Sequence, residues 1–196
     1  MDRPGSVQTS LVVGVPAVDR AHLDLLPVIV ANRVLGGTPV ARLFSKLRNE
    51  LGLTYGASSQ LQAYAHGGDW RASGDITSAR VDEGIEAFLA ELRRIAAEPV
   101  PAQELDEAKR SMVASFALTL EQLGPVVSYI SSRRVYGLST DYWERYPEKV
   151  MAVSPDDVHR VAKQYMTMDR LQVIAIGDAT QLEPLLSPLG ATTVVR

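Results

Sequence analysis

Two runs that read as strands, Leu53 to Tyr64 and Gly68 to Ile76, meet at His66-Gly67-Gly68 and form a β-hairpin pattern. What flanks this hairpin limits the possible folds more than any other feature. Before it come a β-branched run, Val7 to Val15, and two helical blocks, Asp19 to Leu35 and Pro39 to Leu51. After it only helical blocks follow, until the almost unbroken apolar run Leu171 to Ile176, which reads as a central strand. The order β, α, α, β, β, several helices, β lacks the regular alternation of a doubly wound sheet. It predicts an α+β fold in two layers: a mostly antiparallel sheet covered on one face by helices.

The helix boundaries carry their own chemistry. Gly36-Gly37 stops the first helix, and Pro27 fits only near its start, where amide protons lack intrahelical acceptors. Leu43, Phe44, Leu47 and Leu51 recur at helical spacing, and Gly52 is placed to end that helix in a left-handed conformation. From Ser78 to Ala97, Val81, Ile85, Phe88, Leu89, Leu92 and Ile95 share one face. Pro99 and Pro101 then break the chain. Ala102 to Leu123 reads as one helix, interrupted at Gly124-Pro125 and resuming to about Tyr136, with a short helix over Tyr142 to Met151. Ser154-Pro155-Asp156-Asp157 is a helix start: a serine cap, proline at the first position and an acid three residues on. The tail after Gly177 reads as a short helix and a weak final strand.

The 196 residues suit a single domain with a real core. A net charge of −3 gives no electrostatic basis for binding nucleic acid or anionic lipid. There is no cysteine, which excludes disulfide and thiolate chemistry. No run approaches a membrane span, and the polar start MDRPGSVQTS lacks the apolar region of a signal peptide. The expectation is a soluble chain, with cytosol and periplasm both open.

Several chemistries find no support. The three histidines, His22, His66 and His159, stand in no zinc-binding motif and read as solvated or capping residues, so no metal site is expected in the chain itself. No G-x-S-x-G elbow, P-loop or G-x-G-x-x-G is present, although counting residues does not exclude a distant Ser-His-Asp triad. Glu104, Asp106 and Glu107 read as solvated acids in a first helical turn.

One stretch stands apart: KLRNELGLTYG, Lys46 to Gly56. Arg48 lies in the last turn of its helix, Gly52 reverses the chain, and Tyr55 begins the returning strand. A guanidinium offers a planar fork of donors, and a neutral phenol donates one hydrogen bond. Such a pair can hold a peptide carbonyl and the oxyanion that develops on attack, at about 3 kcal/mol per donor. It cannot activate the attacking water. By residue type alone the simpler reading is favoured, in which Arg48 caps its own helix and Tyr55 packs on the sheet.

The longer segment ANRVLGGTPVARLFSKLRNELGLTYGASS resembles the pitrilysin/insulinase-type zinc peptidases, the inverzincins, which include the mitochondrial processing peptidases. The resemblance rests on Leu35-Gly36-Gly37, Arg42-Leu43-Phe44, Leu47-Arg48, Glu50, Gly52-Leu53 and Tyr55, and it continues through PAQELDEAKRSMVASF, SPDDV and LQVIAIGD. Thr38-Pro39-Val40-Ala41 departs from the small hydroxyl residues often found there.

The resemblance is to the metal-free domain of that family. It implies a half-chamber that binds peptide substrate through Arg48 and Tyr55, as substrate-binding and catalytic residues. Zinc would be held by H-x-x-E-H in a homologous partner domain or subunit. The chain would be inactive alone. The alternatives implied are an inert scaffold or assembly subunit, and a homodimer of the isolated chain through its open sheet face. The start of the chain lies almost flush with the family's domain edge, as expected of a half-sized subunit or a piece of a longer protein.

Overall fold

Alternation along β1 (Gln8–Ala17) sets the two layers. Thr9, Leu11, Val13 and Val15 are buried, whereas Gln8, Val12 and Pro16 are exposed. In the computed structural model, which describes residues 1–195, β1 pairs antiparallel with β3 (Gly67–Thr77) on one side and β4 (Gln172–Ile176) on the other. The strand β2 (Thr54–Tyr64) completes a four-stranded antiparallel sheet of order β2-β3-β1-β4. The hairpin forms as the sequence predicts, with Tyr64 opposite Gly67 and the turn one residue earlier, at Ala65-His66.

Helices cover the buried face. Those that contribute most to it are α1 (Leu25–Leu35), α3 (Val81–Ala97) and, later in the chain, α7 (Pro155–Tyr165). Val28, Val34, Phe88, Leu92, Val158 and Val161 join Trp70 and the inward residues of β1 in one core. Trp70 is fully buried, and its indole N–H donates to Asn32 Oδ1 at 2.9 Å, so the ring is dry without leaving a donor unpaired. The open face is polar for most of its width. Its rows pair Ser10 with Asp75, and Gln60 with Arg71. Ser10 Oγ donates to Asp75 Oδ1 at 2.6 Å.

Four expectations need correction. The first helix begins only at Leu25. Asp19 to Asp24 form turns in which Asp19 Oδ1 and His22 Nδ1 accept backbone N–H groups at 2.9 and 3.0 Å. The strand β4 lies at the edge of the sheet, not its centre: Val173 and Ala175 pack inward, but Ile174 is 63% exposed. An apolar run reports what its side chains could bury, not how many strands flank it.

The long helical block divides into α4 (Ala102–Thr119) and α5 (Leu123–Val135), bent by 106°, and the break falls at residues 120–122 rather than at Gly124-Pro125. Pro125 stands in the first turn of α5, where its missing N–H costs no hydrogen bond. After α6 (Tyr146–Ala152), α7, β4 and α8 (Ala179–Leu186), no final strand forms among the described residues, although Val195 C=O accepts from Asp2 N–H at 2.9 Å. Among the described residues no single helix is long and apolar enough to cross a membrane.

The capping box of α7 is present in full. Ser154 Oγ accepts from Asp157 N–H at 3.1 Å, and Asp157 Oδ2 accepts from Ser154 N–H at 3.1 Å.

The candidate substrate-binding corner

Arg48 lies in a helix that changes pitch. A short α-helical turn, α2 (Arg42–Phe44), runs directly into a wider π-helical segment, Ser45–Glu50. Wide turns of this kind recur at functional positions. Leu43 and Leu47 face the core and are fully buried, which leaves Arg48 on the exposed side. The segment ends at Gly52, whose φ of +63° is the left-handed conformation expected from the sequence.

Three hydrogen bonds fix the turn that follows. Leu53 N–H donates to Leu47 C=O at 2.8 Å, Arg80 Nη1 donates to Leu51 C=O at 3.2 Å, and Thr77 N–H donates to Leu53 C=O at 2.9 Å. Arg80 is itself held by Glu83 through two bonds of 2.7 Å.

The start of β2 is irregular. Thr54 pairs with Ile76 and Ala57 with Gly74, so Tyr55 and Gly56 together stand opposite Asp75 alone. This is a β-bulge, closed by Thr54: its Oγ1 accepts from Gly56 N–H at 3.0 Å and donates to Gly56 C=O at 2.8 Å. Thr54 and Ala57 both point into the core, and the bulge between them turns Tyr55 outward, where it is 80% exposed.

The structure therefore brings the two residues together. The Arg48 guanidinium carbon lies 5.3 Å from the centroid of the Tyr55 ring, within cation–π range. No hydrogen bond or ion pair among the described residues occupies either polar group. Their neighbours on the same turn are engaged: Lys46 pairs with Glu50 at 2.8 Å. The Arg48 guanidinium and the Tyr55 hydroxyl, both without a partner among the described residues, thus lie on one braced turn at the rim of the sheet.

Sequence reasoning missed the side chain that anchors this helix. Arg42, 9% exposed, donates two parallel hydrogen bonds of 2.7 Å to the Glu104 carboxylate on α4. Burial works against the charge on Arg42, but the paired bonds to Glu104 outweigh it and hold the guanidinium above its ordinary pKa. Glu104 is thus not the free first-turn acid its position implies. An acid near a helix start gives no sign of a partner 62 residues away.

The Leu35-Gly36-Gly37 element also gains a reason. Gly36 C=O accepts from Ser59 N–H at 2.9 Å, tying the end of α1 to β2, and a side chain on Gly36 would meet that nitrogen at 2.5 Å. Of the histidines, His22 caps a turn. Among the described residues no three His, Cys, Asp or Glu side chains converge as metal ligands.

An antiparallel sheet open on one face and covered by helices on the other is an architecture this chain shares with inactive domains of peptidases. Residues 1–112 match the family model described as "Peptidase M16 inactive domain", and the chain belongs to that family. It is 27% identical to an uncharacterized zinc protease of Bacillus subtilis over 165 residues, which cover 83% of this chain and 40% of that protein. It is 24% identical to the alpha-2 subunit of the mitochondrial-processing peptidase of Dictyostelium discoideum, across 83% of this chain and 36% of the subunit. The chain thus spans about two-fifths of the length of the curated relatives it matches. In fold it is similar to the M16 inactive domain of Pseudomonas fluorescens, with a TM-score of 0.81 and 22% identity over 88% of this chain and 41% of that one. An inactive peptidase domain from Bordetella parapertussis gives a TM-score of 0.73 and 18% identity over 89% and 94% of the two chains.

Proposed function

We propose that this chain is the substrate-binding, oxyanion-stabilising half of a zinc metalloendopeptidase and is inactive without its other half. The observation that carries this reading is the juxtaposition of Arg48 and Tyr55, exposed and unoccupied, at 5.3 Å. A peptide carbonyl oxygen placed between them would accept from the guanidinium and from the phenol. As the carbonyl carbon becomes tetrahedral, its oxygen gains negative charge, and both hydrogen bonds strengthen. The Gly52 turn and the Thr54 bulge brace the backbone beneath both donors, which lessens the rearrangement needed at that moment.

Zinc, held by a homologous domain or subunit, would supply the activation of water. This chain's residues hold the amide, orient it and stabilise its charge.

The test combines the chain with its zinc-bearing counterpart and measures peptide cleavage. Arg48→Ala is expected to lower kcat by roughly a hundredfold, and Tyr55→Phe by about tenfold or more, each with the complex still formed. Unchanged turnover in both variants removes the catalytic role.

A second reading, assembly without catalysis, draws on α5, which buries none of its residues and exposes Leu123, Val127 and Ile130. A complex that forms normally yet cleaves nothing, with native residues at 48 and 55, favours that reading.

A further inference from the structure

A cavity of about 350 Å³ opens between α1, α4, α5 and the segment leading into α6, and it shares no residue with the Arg48–Tyr55 corner. Its lining is unusual in two respects. It contains two arginines, Arg20 and Arg33, and no acid. It also gathers five of the chain's twelve aromatic side chains: Phe116, Tyr129, Tyr142, Trp143 and Tyr146.

The arginines lack charge partners. Arg33 Nη2 donates to Ser111 Oγ at 2.6 Å and to Ser115 Oγ at 3.1 Å, both neutral, and its Nε is buried with nothing to bond. Arg20 sits with its guanidinium carbon 5.4 Å from the Tyr136 ring centroid, and its Nε is likewise buried and unbonded. No ion pair among the described residues includes either. Burial pulls the Arg33 guanidinium below its ordinary pKa, yet an arginine stays charged in such a setting. A half-buried cation without a counter-charge is partly desolvated, and an anion in the cavity would offset that cost. Arg42, on the neighbouring helix, has such an anion in Glu104.

The aromatic walls are ordered by contact with one another. Trp143 lies 4.4 Å from Tyr129 and near-parallel to Phe116 at 6.0 Å, and its N–H is occupied by Tyr129 C=O at 2.9 Å. The Tyr129 hydroxyl is occupied by Thr119 at 2.9 Å. These rings therefore offer surface more than donors. The volume is at the small end for ligand sites, which run to about 300–1,000 Å³, and suits one ring with a short arm. A carboxylate can be taken at Arg33 Nη1, since Nη2 is held by Ser111 and Ser115 and Nε is enclosed.

We propose that this cavity binds a carboxylate carried on an aromatic group, with Arg33 taking the carboxylate and the rings around Trp143 taking the body. A free aromatic acid and a peptide ending in phenylalanine share that chemistry. The assignment does not depend on the peptidase reading.

The test uses the 196-residue chain with two acids, 3-phenylpropionate and acetyl-Ala-Ala-Phe, each beside its own amide. Binding is measured by calorimetry, and the Trp143 indole N–H signal is followed by NMR. At least one acid is expected to bind saturably, roughly tenfold tighter than its amide, with the Trp143 signal shifted. Binding of 3-phenylpropionate assigns the site to small acids, and binding of the peptide alone assigns it to chain ends; both support the proposal. Arg33→Gln is expected to weaken binding roughly tenfold, with Arg33→Lys recovering part of the loss. Equal binding of acid and amide overturns the proposal, as does no binding by about 10 mM or an unmoved Trp143 signal. The acid–amide comparison on the unsubstituted chain stands even if Arg33→Gln impairs folding.

Discussion

Arg42 and Arg48 belong to one continuous helical stretch, six residues apart, and their surroundings are opposite. Arg42 is buried and matched through both arms of its fork to a single carboxylate. Arg48 is exposed, matched to no carboxylate and rests against an exposed tyrosine. Where a charge is paired inside the fold, its removal is felt by the fold. Where it is left free on a braced turn, its removal should leave the fold intact. On the function proposed above, the contrast separates stability from substrate binding within two turns of helix, and each half can be measured alone.

The largest effect is expected at the engaged arginine. Arg42→Ala should lower unfolding stability by about 2 kcal/mol, since it removes two charge-assisted hydrogen bonds and leaves the half-buried Glu104 without its partner. Chemical denaturation measures this, and adding Glu104→Ala should restore part of the loss by removing the stranded charge. Ser154→Ala removes one engaged group from the α7 capping box and should cost about 1 kcal/mol in the same assay.

Asp24 extends the comparison to pH. The Arg160 hydrogen bond, at 2.6 Å, holds its carboxyl below the ordinary 3.8, with a further bond from Tyr165. A carboxyl lowered in the folded state stabilises fully above its unfolded pKa and loses that contribution as pH falls through the folded value. Stability should therefore drop below about pH 4 by more in the native chain than in Asp24→Asn. The smallest effect is expected at the free pair: Arg48→Ala and Tyr55→Phe should each change stability by less than about 0.5 kcal/mol. A loss of several kcal/mol at Arg48 would break the contrast and make that residue part of the scaffold.

What could be read from the sequence was local. Gly52, the hairpin and the Ser154–Asp157 cap are decided within a few residues, and all three form. The sheet under one layer of helices followed from element order, which topology preserves. Misreadings arose where distant groups decide. The edge position of β4 depends on what fails to pair beside it. The corner between α4 and α5 falls before Pro125 because a first turn accommodates proline. The Arg42–Glu104 pair joins helices on either side of the hairpin and α3. In the corner itself, residue types alone favoured ordinary roles for Arg48 and Tyr55 and only the family resemblance singled out the pair; neither the π-helical turn nor the bulge has a signature in KLRNELGLTYG.

That bulge has a consequence for tolerance to change. In a regular strand, one residue gained or lost reverses the facing of everything beyond it. Here the phase is already broken between Thr54 and Ala57, so the stretch from the Gly52 turn to Tyr55 counts its positions from a different origin than the rest of β2. Deleting Gly56 would leave Thr54 and Ala57 two positions apart, each still facing inward across an unbroken ladder. The corner behaves as a cassette set into the sheet's rim, whose reach can be retuned by a single residue while Trp70 and the layers behind it keep their places.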